Sequence, residues 1–297
     1  MGTVVSFDVR GREPGDPVAA EAVAEAVSWL HRVDGTFSTY RPDSPVSRLG
    51  RGEISLAECP PEVSETLDLC EEMAALSNGY FTARPGGRLD PSGMVKGWAI
   101  ERASRILSAA GLADHCVNGG GDVQTAGYPA PGRPWRVGIA HPSRPGMLAA
   151  VVAGPSGSAD AAPAAPEHLA GAAVGVPGAL RAAGAPDGAL PGALPGALPG
   201  VTGVLRAALA VATSGTAERG THILDPHTGR PPTELASITL VGAGLTIVDA
   251  CATAAFAMGN AARDWVEGLD GLEAFAVSAT GETWRTSGFP AGSAGPT

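Results

Sequence analysis

Asp249 and Thr253 stand four residues apart near the start of an apolar run, Ile247 to Gly259. On a helix that spacing puts a carboxylate and a hydroxyl on one face, one turn apart. Two hard oxygens there suit Mg²⁺, which takes further oxygens from water and from a substrate phosphate. The same pair also reads as a dipole-favoured acid and a threonine bonded to its own helix. A second stretch, Leu89-Asp90-Pro91-Ser92-Gly93-Met94-Val95-Lys96-Gly97-Trp98-Ala99, passes from turn residues into helical spacing. Lys96 in its first turn opposes the helix dipole, so it is either a solvated lysine or the partner of a bound anion. Thr213-Ser214-Gly215 ends a strand-like run and offers hydroxyl and N–H donors, or is a plain turn. His222, ahead of Asp225-Pro226, reads as a general base or as a half-buried structural histidine.

These residues need elements to hold them. Thr3 to Val9 predicts a strand, and Pro17 to Val33 an amphipathic helix that Asp34 and Gly35 end. Phe37 to Leu49 is turn-rich with an aromatic pair, a surface loop or a ligand-contacting one. A helix follows from Pro60-Pro61 to about Ser77, closed by Asn78-Gly79, then a short strand Tyr80–Ala83. The helix opened at Asp90 should end at Gly111. His115 to Val123 carries three consecutive glycines between β-like segments, either a tight bend or a close approach of backbone to ligand. Trp135–Ala140 and Leu148–Ala153 predict a strand pair, Val204–Ala212 and Ala236–Val241 further strands, and 273–286 a closing hairpin.

Residues 153–200 differ in kind: 34 of these 48 are Gly, Ala or Pro, and GALP repeats three times. Too little bulky apolar surface offsets the ordering entropy, so the expectation is a flexible insertion inside one domain spanning 1–297. The whole chain, 297 residues, is long enough for a sizeable core. A formal charge of −10 argues against a nucleic-acid partner. No run of eighteen apolar residues predicts a membrane span, and no signal segment or lipobox is seen, so a cytoplasmic location is expected. Cys59, Cys70, Cys116 and Cys251 are scattered, form no zinc pattern, and should be reduced, mostly buried thiols. No GxGxxG follows a strand and opens a helix, which removes a Rossmann dehydrogenase.

Taken in series, FSTYRPDSPVSRL, LDPSGMVKGWA, VNGGGD, TSG, THILDPHTG and DACATAAFAMG resemble the ApbE family of FAD:protein FMN transferases. The resemblance runs from Met1 to about Gly259, around the insertion. It implies an α+β, T-fold-like architecture of mixed or antiparallel sheets with packed helices, and two lobes around a nucleotide cleft. It implies Mg²⁺, FAD as substrate, and transfer of FMN to a Ser or Thr hydroxyl of an acceptor with an FMN-binding domain, releasing AMP. By that resemblance Asp249 and Thr253 ligate Mg²⁺, with a main-chain carbonyl of the Ser92-Gly93 turn, written Gly93, as third ligand. Asp90, Lys96 and Tyr40 match positions that contact FAD, Asn118, Gly119 and Gly120 line the pocket, and Thr213 and Ser214 form a dinucleotide-contacting turn. His222 matches the residue that activates the acceptor hydroxyl.

Three departures stand out. Phe81-Thr82-Ala83-Arg84 replaces the usual F-D-P-T, so Thr82 takes the place of an aspartate in the FAD-contacting set. Only six residues separate Thr213-Ser214-Gly215 from His222, where many relatives carry a longer hairpin. Met1-Gly2-Thr3 coincides with a motif that usually has residues before it, and an upstream start would change the compartment. The same ligands would also serve an FAD pyrophosphatase, in which water replaces the acceptor. A non-catalytic flavin binder is the third alternative, and it would need neither the metal pair nor the base.

Overall fold

The computed structural model describes residues 2–155, 207–216 and 223–290. Its strands are β1 (Val5–Val9), β2 (His115–Gly119), β3 (Asp122–Ala126), β4 (Arg136–Ala140), β5 (Leu148–Ala153), β6 (Leu209–Gly215), β7 (Leu235–Gly242), β8 (Glu273–Ser278) and β9 (Thr283–Arg285). Its α-helices are α1 (Pro17–Phe37), α2 (Pro45–Gly50), α3 (Pro61–Leu76), α4 (Ser92–Ala109), α5 (Leu245–Met258) and α6 (Ala262–Glu267). Seven strands form one sheet in the order β1-β2-β3-β6-β7-β8-β9, and β4 with β5 forms a separate hairpin. Every pairing is antiparallel, so the α+β expectation holds in its antiparallel form.

Alternation assigns the two faces of the large sheet. Ala210, Ala212, Ile238, Leu240, Ala274 and Ala276 turn toward the helices and join the main core. Leu209, Val211, Val241, Phe275 and Val277 turn the other way, where Ile139 and Val152 of the hairpin and Phe289 cover them. The helix-facing alanines leave room for α5, whose Ala250, Cys251, Ala252, Ala254 and Ala255 are all fully buried. Leu245–Glu267, taken as one run, is long and apolar enough to cross a membrane by composition, but 72% of its window is buried inside the protein. It is the core helix of this fold.

Beside α5, α1 and α4 are joined by aromatic contacts. The Trp98 ring meets Trp29 edge-on at 5.0 Å and Phe37 at 5.7 Å, and Trp29 Nε1 donates to the Ala99 carbonyl at 3.0 Å. Side chains of that size contribute about 1.5–3 kcal/mol each when buried. All four cysteines are free. Burial pushes the Cys70 and Cys116 thiols up to about 12 and about 11, so both stay protonated.

The structure corrects four expectations. First, α1 does not stop at Asp34-Gly35; it runs to Phe37, because Val33 and Phe37 lie one turn apart on the buried face. Second, Phe37–Leu49 is not one loop. Ser44 Oγ accepts from Ser47 N at 3.1 Å, Pro45 takes the first helical position, and α2 begins there. Third, Tyr80–Ala83 is no strand: Phe81 is buried, and its amide donates to Ser77 Oγ at 2.9 Å rather than to a neighbouring strand. Fourth, Thr213-Ser214-Gly215 is not a turn but the paired end of β6, opposite Thr239, Ile238 and Ser237. Nearly all of the Gly/Ala/Pro-rich segment, residues 156–200, and His222 lie outside the described residues.

Candidate active site

The start of α4 is built by its turn. Asp90 Oδ1 accepts from Ser92 N at 3.1 Å, and the Asp90 amide donates to the Ala83 carbonyl at 2.8 Å. The chain then enters α4 with Gly93 and, one turn further, Lys96 and Gly97. α4 lies unusually close to α5. A Cβ on Gly97 would stand 2.5 Å from the Leu245 carbonyl oxygen and 2.7 Å from Asp249 Cβ. A Cβ on Gly93 would stand 3.7 Å from Thr253 Oγ1. Two glycines on one face of α4 thus let Asp249 and Thr253 of α5 come against its backbone.

The N-terminus of α5 is held from two sides. Gln124 Oε1 accepts from Leu245 N at 2.8 Å. Glu101 Oε2 accepts from Thr246 N at 2.9 Å and from Thr246 Oγ1 at 2.8 Å. These bonds satisfy first-turn amides that burial cuts off from water. They also fix where Asp249 falls, one turn later.

Asp249 is 3% exposed. Its Oδ2 accepts from Gly97 N at 2.9 Å, an amide that a regular helix directs at the Gly93 carbonyl. Its Oδ1 lies 3.4 Å from Lys96 Nζ. The same ammonium makes a closer ion pair with Asp122 Oδ2, at the start of β3. Asp122 Oδ1 accepts from Thr213 N on β6 at 3.0 Å. Burial pushes the Asp249 carboxyl up; the Lys96 ammonium pulls it back, and Asp122 adds to the rise. For Lys96, burial alone would lower the ammonium, but Asp249 and Asp122 outweigh it and hold the group protonated.

Four elements therefore bring Gly93, Lys96, Asp122, Asp249, Thr253 and the Thr213 amide to one place. Two carboxylates share one ammonium, leaving a buried excess of negative charge. Among the described residues no group of three or more His, Cys, Asp or Glu is placed to hold a metal ion. A cation here must draw on one carboxylate, a hydroxyl, main-chain oxygen and substrate oxygens. That is a donor set Mg²⁺ accepts, and the excess charge is what a cation would offset. The residues present fit it.

Asp122 is the residue that sequence reasoning missed. It stands directly behind the three glycines of Asn118-Gly119-Gly120-Gly121-Asp122, and that glycine run is its signal in the sequence. Gly120 and Gly121 turn the chain with φ of 62° and 91°, and Asn118 Oδ1 accepts from Gly121 N at 3.0 Å. The bend between β2 and β3 is thus real, and it delivers Asp122 to Lys96. Gly119 is buried against Ile100.

Among the described residues, the other expected ones share no hydrogen bond or ion pair with these side chains, except that Thr213 meets Asp122 through its amide. Tyr40 is 95% exposed. Thr82 Oγ1 accepts from Arg84 N at 3.0 Å, and Arg84 itself is exposed. Thr213 and Ser214, being consecutive in β6, point to opposite faces of the sheet; Thr213 Oγ1 pairs with Thr239 Oγ1 at 2.8 Å. A cavity of about 360 Å³ lies among Trp29, Phe37, Pro45 and Pro60, and no expected site residue lines it.

Comparison with known proteins adds a family and a fold. The model of the ApbE family matches residues 1–84, 82–165 and 162–276. An FAD:protein FMN transferase of Rhodobacter capsulatus is 27% identical over 283 residues, which cover 89% of this chain and 42% of that protein. One of Salmonella typhimurium is 24% identical over 200 residues, 67% of this chain and 45% of that protein. The chain thus spans less than half the length of the curated relatives it matches. The ApbE protein of Thermotoga maritima superposes with a TM-score of 0.67 at 21% identity, over 96% of this chain and 94% of its own. The flavin transferase ApbE of Vibrio cholerae gives 0.66 at 19% identity, over 97% and 95%. At such identities these structures establish a shared fold.

Proposed function

The chain belongs to the ApbE family, and from that premise we propose that it transfers FMN from FAD to a Ser or Thr hydroxyl of an acceptor flavoprotein, releasing AMP. The observation that carries this reading is the convergence of Gly93, Lys96, Asp249 and Thr253 at the α4–α5 contact. The names of the curated relatives support it.

In this reading Asp249, Thr253 and the Gly93 carbonyl would hold Mg²⁺, which would supply charge neutralisation for the pyrophosphate. Lys96, at the same place, adds a second positive charge toward the phosphates. In the same reading Asn118, Gly119 and Gly120 line the nucleotide pocket, Thr213 and Ser214 contact the dinucleotide, and Tyr40, Thr82 and Asp90 contact FAD. His222 takes the proton from the acceptor hydroxyl. Its oxygen then bonds to the phosphorus of the FMN portion, the bond to the AMP oxygen breaks, and AMP leaves. Positioning and electrostatics carry such a phosphoryl transfer; the protein forms no covalent bond.

The test is AMP release from FAD and Mg²⁺, with and without a generic FMN-binding acceptor domain. Acceptor-dependent AMP with an acceptor heavier by FMN supports the transferase. AMP with free FMN and no acceptor would make the chain a pyrophosphatase instead.

A further inference from the structure

We propose that Asp122 is a positioning residue that settles a competition between Lys96 and a divalent cation for Asp249. This rests on the metal site of the reading above. The Lys96 ammonium reaches two carboxylates from different elements, Asp122 on β3 and Asp249 on α5, and the Asp122 contact is the closer. Among the described residues that ammonium is the sole polar partner of Asp122 Oδ2. Asp122 Oδ1 is tied to the Thr213 amide at 3.0 Å, and the side chain is 3% exposed. Asp122 is therefore a fixed acceptor. Lys96, on a four-carbon stem and 26% exposed, is the movable partner.

A cation that takes Asp249 Oδ1 must displace the ammonium from it. The ammonium then needs an anion within reach, and Asp122 already supplies one. Without the charge on Asp122, Lys96 is left with Asp249 alone between the two, and it stays there against the cation. Without Lys96 the competition disappears. A purely structural Asp122 would need only its bond to Thr213 N, which the amide oxygen of asparagine can also accept.

The experiment is a titration of the full chain with Mn²⁺ alone, without FAD, following free Mn²⁺ by electron paramagnetic resonance. Wild type, Asp122→Asn, Lys96→Met and the double variant form a cycle. Asp122→Asn should weaken Mn²⁺ binding on the order of tenfold, the size of coupling seen between contacting charged residues. Lys96→Met should tighten it. On the Lys96→Met background the Asp122→Asn effect should shrink to a small fraction of its size. An equal loss in both backgrounds would overturn the proposal, since Asp122 would then act by its charge alone. Unchanged binding in Asp122→Asn would overturn it too. Should Asp122→Asn not fold, Lys96→Met still decides, because weaker or unchanged binding there removes the competition. If wild type binds no Mn²⁺, the metal site itself fails, a result distinct from the others.

Discussion

The Gly97 amide donates to Asp249 Oδ2 at 2.9 Å, across 152 positions of sequence. That bond exists because residue 97 has no side chain. Replacing Gly97 by Ala would put a Cβ 2.5 Å from the Leu245 carbonyl oxygen and 2.7 Å from Asp249 Cβ. Backbone cannot yield as a side-chain tip does, so α4 and α5 must separate. Gly97→Ala should cost about 1–3 kcal/mol by urea denaturation and most of the turnover of FAD. Wild-type turnover in a destabilised Gly97→Ala protein would detach the helix contact from the site.

Glu101 holds the same helix pair one turn further along α4. It is 3% exposed and lies between Arg105, at 2.7 Å, and the Thr246 amide and hydroxyl. Glu101→Ala removes the anion from a buried pair together with an acceptor for the first turn of α5. A loss of about 3 kcal/mol is expected, measured as a shift of the denaturation midpoint. A shift below about 1 kcal/mol would mean that water replaces the carboxylate there.

Much of this was legible in sequence, and what was not has a common cause. Helical spacing gave α3, α4 and α5, and Asn78 and Gly79 at φ of 51° and 83° close α3 where turn chemistry says they should. The Asp249–Thr253 spacing was equally plain. Strand edges were read less well, because Thr213-Ser214-Gly215 becomes strand only through β7, a partner that local sequence does not name. Gly35 fails to end α1 because Phe37 packs on Trp98 from α4. Asp122 was passed over because its meaning lies in Lys96, on another element.

His115 gives a pH dependence. It is fully buried, with Nδ1 2.7 Å from the Leu112 carbonyl and Nε2 2.7 Å from Ser104 Oγ. The carbonyl can only accept, so Nδ1 carries the proton and Nε2 accepts from the serine. Burial holds its pKa below the ordinary 6.5. A depressed histidine contributes stability that is present above the unfolded value and lost as pH falls through the folded one. Asp249, raised by its burial, works oppositely in metal-free buffer: its contribution is full below its unfolded value and lost as pH rises through its folded one. The useful quantity is therefore wild type against His115→Gln. Their stability difference should shrink as pH falls below 6.5; a constant difference would mean that His115 does not titrate.

Tyr40 separates binding from folding. At 95% exposure it packs on little. Tyr40→Ala should alter stability by less than about 0.5 kcal/mol. If its ring stacks on the nucleotide, KM for FAD rises several-fold while kcat changes less. An unchanged KM would remove Tyr40 from the FAD-contacting set.

In the proposed function the oxygens of Asp249 serve the transfer of FMN. The direct measurement is the mass of an acceptor domain after incubation with FAD, Mg²⁺ and either wild type or Asp249→Asn. Wild type should add one FMN to the acceptor. Asp249→Asn, which keeps the side chain's shape but not its charge, should slow that addition on the order of a hundredfold or more while remaining folded. An acceptor modified equally fast by both proteins would contradict this role, because the transfer would then owe nothing to the Asp249 carboxylate.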